Sequence, residues 1–245
     1  MDDKRSVNLS VEVPGTPEEV WDAIATGPGL SIWFVPSEVE AGEGGTVTMH
    51  HGMMDQTGTI TAWEPPHRFA FGVGEFQPPG AASAAALALE ILVEARSGGT
   101  CVVRLVNSGF STDADWDRQF ESSRRGWEMC LEVLRLYLRD FKGMPHAAAH
   151  AMTQTSGEPA DAFARLRAAV AGDGAPWLAG TLEQVGDTAL TMVLDQPAPG
   201  IAVLAVGGPG DELYATVSLS LFGDDAATVA ARIEPEWQGW LSVTL

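Results

Sequence analysis

Apolar residues recur along this chain in two rhythms, and the longest run of the slower one lies between Asp115 and Phe141. Trp116, Phe120, Trp127, Leu131, Leu134, Leu138 and Phe141 follow one another at gaps of three, four or seven, the spacing that stacks side chains on one face of an α-helix. Charged residues such as Asp117, Glu121, Arg124, Glu128 and Arg135 fall on the other face. Asp113 or Asp115 is placed to cap the start, and Lys142-Gly143 with Pro145 to end it. A helix of roughly seven turns carrying two tryptophans on its apolar stripe needs a broad surface to lie against.

The faster rhythm, period two, supplies that surface. Val7, Leu9, Val11 and Val13 alternate with polar residues as in a strand with one buried face. Thr16-Pro17-Glu18-Glu19 then reads as the start of a short helix with Val20, Trp21 and Ile24 on its apolar side, ending near Gly27-Pro28-Gly29. Leu30 to Pro36 reads as a further helical turn. Val47 and Met49 belong to a strand, Gly58 to Trp63 and Phe69 to Val73 form a hairpin about Pro65-Pro66, and Cys101 to Val106 is another strand. Alanines in the segment 84–95 argue for helix, but Leu87, Leu89, Ile91 and Val93 alternate strictly and favour strand.

Beyond Gly143 the texture changes. Residues 144–157 are alanine, histidine and small polar residues without a period, expected to be a linker. A helix is expected at 160–170, strands at 178–185, 189–194, 201–206 and 213–222, and a final helix capped by Asp224-Asp225 and broken or kinked at Pro235. The chain therefore predicts an α+β protein with a first domain at 1–143, a linker at 144–157 and a smaller α+β region at 158–245. The order of elements in that region is a shortened echo of the first half, so a degenerate second copy is one reading of it.

Charge and composition narrow the function. With 33 acidic against 14 basic residues the formal charge is −19, which disfavours nucleic acid and anionic membranes as partners. Two cysteines make no disulfide framework or zinc ribbon. The first residues lack an apolar signal-type core and the run 81–93 is interrupted by Glu90, so the expected location is cytoplasmic.

Several stretches together resemble a known family: 13–24 (VPGTPEEVWDAI), Trp33-Phe34-Val35-Pro36, Gly44-Gly45-Thr46-Val47, the hairpin 58–69 (GTITAWEPPHRF), and Gly126-Trp127 followed by Leu131 and Leu134. Their order over residues 5–141 is similar to the START/birch-pollen-allergen-like (SRPBCC) superfamily, and within it to the branch of activators of heat-shock chaperone ATPase. The resemblance implies a helix-grip fold, a curved antiparallel sheet around a long carboxy-terminal helix with a cavity between them. By family position the cavity walls would draw on Trp33, Phe34, Met49, Trp63, Phe71, Leu89, Val106, Trp127, Cys130 and Leu134. For each aromatic, plain core packing is the competing reading.

Metal and catalytic chemistry have only scattered candidates. His50-His51 with Asp55, and His146 with His150, are the histidine groupings, but adjacent histidines on a strand point to opposite faces, and no metal or cofactor is expected. Asp55, His67, Glu75, Glu90 and Arg104 are the candidate acids and bases, with Glu90 expected to face outward; Cys101 and Cys130 are expected to be inert buried thiols. The function expected is non-catalytic binding of a small apolar or aromatic molecule. The alternatives are a cyclase, aromatase or hydrolase using the same pocket, or a chaperone-type module with a protein partner.

Overall fold

The period-two run at the start forms β1 (Arg5–Pro14), with Val7 and Val13 buried. Helix α1 (Pro17–Ala25) begins in a reciprocal cap. Glu19 N donates to Thr16 Oγ1 at 3.3 Å and Thr16 N donates to the Glu19 carboxylate at 2.9 Å, satisfying two amides that the first turn leaves free. Gly27-Pro28-Gly29, expected as a break, is instead the first turn of α2 (Gly27–Trp33). Thr26 Oγ1 accepts from Gly29 N at 3.0 Å, and proline suits a first helical turn because its missing N–H is not needed there.

The computed structural model describes residues 4–51, 55–172, 174–208 and 212–245. Six further strands follow α2: β2 (Ser37–Val39), β3 (Thr46–His50), β4 (Asp55–Glu64), β5 (Arg68–Phe76), β6 (Ala85–Arg96) and β7 (Thr100–Phe110). They and β1 form one antiparallel sheet in the order β1-β7-β6-β5-β4-β3-β2, so the first strand lies beside the last. A 3₁₀ turn (Ala114–Trp116) leads into the long helix α3 (Asp117–Leu136), which closes in a π turn over Tyr137–Phe141. Neither Asp113 nor Asp115 caps it. Trp116 holds the N-cap position, and the Asp115 carboxylate instead accepts from Ala82 N at 2.7 Å.

Helix α3 is held against the sheet near both ends. Trp116, fully buried, meets Phe110 and Phe76 edge to face, and Phe110 in turn meets Phe120. Leu131, Leu134 and Leu138 are buried at the other end. This is the helix-grip arrangement, and it belongs to the first of two compact units, Met1–Asp140 and Phe141–Leu245.

The second unit corrects the linker expectation. Residues 144–157 hold a ten-residue strand, β8 (His146–Thr155), paired antiparallel with β12 (Leu213–Phe222) over its whole length. Between them come α4 (Pro159–Val170), β9 (Ala179–Val185), β10 (Ala189–Gln196) and β11 (Gly200–Gly207), and α5 (Ala226–Thr244) follows. Of the turn expected after β11, Pro209 and Gly210 lie outside the described residues. The sheet order is β8-β12-β11-β10-β9. First strand beside last, then the rest in reverse order, is the winding of the first sheet with two strands fewer.

Helix α5 buries Ala226, Ala230, Ile233, Trp237 and Leu241 at steps of three and four. It is one element through Pro235 rather than two. Pro235 and Ala231, whose carbonyl loses its usual donor, are both exposed, so water can take the place of the missing N–H. Asp225 stands at the N-cap without a side-chain cap bond.

Candidate functional site

Between the two anchored ends of α3, the sheet and the helix separate around a cavity of ≈ 270 Å³. The helix presents Gln119, Ser123, Gly126, Trp127 and Cys130 to it, one face at steps of three and four. The sheet contributes Met49 from β3, Gln56 from β4, Phe71, Val73 and Phe76 from β5, and Leu87, Ala88 and Leu89 from β6. Phe34, just past α2, and His51, just past β3, complete the rim, and Asn107 enters from β7.

Two features set the walls. Phe34 and Trp127 stack with ring centroids 4.7 Å apart and planes 30° from parallel. Trp127 Nε1 donates to Asn107 Oδ1 at 3.0 Å, and Asn107 Nδ2 donates to the Ala88 carbonyl at 3.0 Å. Asn107 is only 8% exposed, so these bonds offset the burial of its amide and hold the indole in one orientation. On β4, Gly58 lets the Phe71 ring lie across it: a Cβ there would stand 2.9 Å from Phe71 Cδ2 and 2.8 Å from the Gly72 carbonyl.

Six of the ten residues expected by family position line the cavity: Phe34, Met49, Phe71, Leu89, Trp127 and Cys130. Four do not. Trp33 is 2% exposed and its Nε1 donates to the Ala23 carbonyl at 2.9 Å, which makes it a brace between α1 and α2. Trp63 lies at the far end of β4, edge to face with Trp21 of α1 at 5.1 Å and with Phe69 at 5.6 Å. Leu134 is fully buried on α3, beyond the cavity. Val106 has the wrong parity, because Cys101, Val103, Leu105 and Asn107 form the buried face of β7.

The residues missed are polar and apolar alike: His51 as a wall, Gln56, Asn107, Gln119 and Ser123, and with them Val73, Phe76, Leu87, Ala88 and Gly126. Helical spacing back from Cys130 and Trp127 points to Ser123 and Gln119, and strand alternation from Cys101 points to Asn107, so a signal existed for these three.

The family comparison bears on this same half of the chain. The profile of the family described as Activator of Hsp90 ATPase homolog 1-like protein matches residues 14–139, just over half of the sequence. The chain belongs to that family. No curated protein matches the chain in sequence. Among solved structures, a Mesorhizobium loti protein is similar at 19% identity and a TM-score of 0.49, over 56% of this chain and 98% of its own. The di-domain ARO/CYC protein BexL from the BE-7585A biosynthetic pathway is similar at 14% identity and a TM-score of 0.47, over 98% of each chain.

In this family member the cavity wall holds two titratable groups among the described residues. Burial pushes the Cys130 thiol up to about 12, so it stays protonated and unreactive at neutral pH. His51 is exposed at the rim, yet its ring sits 6.2 Å from Phe34. Partial burial is the largest cause holding its pKa below the ordinary histidine value; Asp55 opposes that shift and His50 adds to it. Its imidazole is therefore neutral at pH 7.

The other chemical candidates stand apart from the cavity. Asp55 bonds His50 Nδ1 at 2.8 Å, Glu90 pairs with Arg68 at 2.7 Å, and Arg104 donates to Asn8 Oδ1 at 3.3 Å. His67 and Glu75 are exposed. His146 and His150 both lie on β8, where four residues span about 13 Å, too far to share one ion. Among the described residues no three His, Cys, Asp or Glu side chains converge as a metal site. No helix among them is long and apolar enough to cross a membrane.

Proposed function

We propose that the first unit binds a small apolar or aromatic molecule in the cavity under α3 and does not transform it. The observation that carries this reading is the make-up of the wall: stacked Phe34 and Trp127, with Phe71, Leu89 and Met49, around ≈ 270 Å³. Apolar walls with a few placed polar groups are the usual chemistry of small-molecule sites. Mass spectrometry of molecules co-purifying with the protein, followed by titration of an apolar library, tests it. A bound molecule should quench tryptophan fluorescence saturably and raise the melting temperature, because a ligand that prefers the native state stabilises it by mass action. Trp127→Leu should weaken binding by about 1–3 kcal/mol, the range for removing an aromatic anchor. Failure of every library member to bind saturably would end the proposal.

One observation favours a second reading, an enzyme of the cyclase or aromatase kind. The neutral imidazole of His51 shares the cavity wall with Asn107, Gln119 and Ser123, and a neutral imidazole can act as a general base at pH 7. The discriminating result is a change of mass in a bound library compound on incubation. Under this reading His51→Gln abolishes that change and leaves binding intact.

A further inference from the structure

We propose that the cavity is shaped for a neutral, planar molecule of two fused aromatic rings bearing a hydroxyl or carbonyl, and that Gly126 sets this size limit. The proposal rests on the ligand-binding reading above and names the class of ligand.

Gly126 lies in the interior of α3, where glycine is the least favoured residue except proline. Tight packing can demand glycine, as it does at Gly58, but nothing lies within 4 Å of where a Cβ would stand on Gly126. Its φ is not positive either, so no special backbone conformation calls for it. What adjoins it is the cavity. A side chain at this position would enter the space between Ser123 and Cys130, one turn to either side on the same helix face, and shorten it.

Volume and charge narrow the occupant. A cavity of roughly 150 Å³ holds one benzene; the ≈ 270 Å³ here, open to solvent at its rim, seats a second fused ring within the walls. The stacked Phe34 and Trp127 suit a flat molecule. Among the described residues the wall carries amides, a hydroxyl and a neutral imidazole, with no lysine, arginine or carboxylate. A carboxylate ligand would lose its hydration without a cation to replace it, inside a chain of net charge −19. A hydroxyl or carbonyl has partners. Asn107 spends two of its four hydrogen-bonding positions on Ala88 and Trp127, and Gln119 with Ser123, themselves bonded at 3.1 Å, adds further donors and acceptors.

The test uses the full chain with 2-naphthol, phenol, 2-naphthoate and dodecanol, followed by calorimetry and tryptophan quenching. 2-Naphthol should bind at least about tenfold more tightly than phenol or 2-naphthoate. Gly126→Leu should lower 2-naphthol affinity at least about tenfold with circular dichroism unchanged, and phenol affinity less than about threefold. If Gly126→Leu does not fold, Gly126→Ala decides, with a loss of about threefold or more expected. Wild-type affinity for 2-naphthol in the folded variant overturns the role of Gly126. Binding of dodecanol or 2-naphthoate in preference to 2-naphthol overturns the ligand class while the binding reading survives; no binding of any probe removes both.

Discussion

Trp127 and Asn107 are the residues on which the cavity's shape depends most directly, because each supplies the other's hydrogen-bond partner. Trp127→Phe keeps an aromatic ring beside Phe34 and leaves Asn107 Oδ1 buried without that donor, at an expected cost of about 1–3 kcal/mol in urea denaturation. The double variant with Asn107→Leu should cost less than the sum of the two singles, since both singles lose the same Trp127–Asn107 bond, while the loss at the Ala88 carbonyl is common to the double variant and Asn107→Leu alone. A loss below about 0.5 kcal/mol for Trp127→Phe would show that the bond contributes nothing to stability. His146 raises a different question. Its ring lies 5.3 Å from Phe222, its Nε2 is buried without a partner among the described residues, and burial lowers its pKa below the ordinary value of 6.5. The unfolded chain then takes up a proton near pH 6.5 that the folded chain resists, so stability is intact above that pH and falls as pH drops below it. His146→Phe should flatten part of that decline in denaturation series from pH 7.5 to 5.5, and an unchanged slope would count against this assignment.

Among the elements, β8 and β9 manage the two edges of the second sheet in opposite ways. Side chains one turn apart on α5 bond the outer backbone of β8. His150 N donates to the Glu234 carboxylate at 3.2 Å, Met152 N donates to Gln238 Oε1 at 3.0 Å, and Gln238 Nε2 donates to the Met152 carbonyl at 2.9 Å. A helix rise of one turn spans about the 6–7 Å between alternate strand residues closely enough for this match. Gln238→Ala removes two of these bonds, and should cost about 1–2 kcal/mol and speed hydrogen exchange at the Met152 amide at least about tenfold. Equal exchange in both proteins would mean that the helix shields this edge without bonding it. On β9, at the other edge, Leu182 and Val185 are exposed, as is Trp177 just before it. The strand β8 was hidden in the sequence because Ala147, Ala148, Ala149 and Ala151 place small apolar residues on both faces. With no contrast between faces there is no period, and pairing with β12 decides the structure.

At the scale of the whole molecule the chain winds the same topology twice, seven strands and then five. Each unit has its own buried residues, including Val7, Phe110 and Trp116 in the first and Phe163, Leu204 and Trp237 in the second. We propose that the first unit is an independent domain. A fragment ending at Gly143 retains β1 through α3 and should unfold in one cooperative transition, with near-ultraviolet circular dichroism reporting fixed tryptophans. An aggregating or non-cooperative fragment would mean that the two units fold only together.

Period and punctuation in the sequence determined most of the elements in the first unit, because local hydrogen bonding and one-sided burial leave a mark on every second or every third to fourth residue. The helix start at Thr16-Pro17, the strand through Leu87 to Val93 and the long apolar stripe from Trp116 were legible for that reason. The cavity was legible only in part. Valine or leucine on both faces of β7, at Val102, Val103, Leu105 and Val106, conceals which parity points inward. Pairing resolves it by setting Asn107 opposite Val7 on one side and Leu89 on the other, both inward and buried. Trp33 and Trp63 have the composition of a ligand wall, yet they pack on α1 because the distance along an element, not residue type, decides what a side chain meets. The space beside Gly126 belongs to no residue at all: it is what remains when a helix held near both ends spans a curved sheet, and only the tertiary structure decides that.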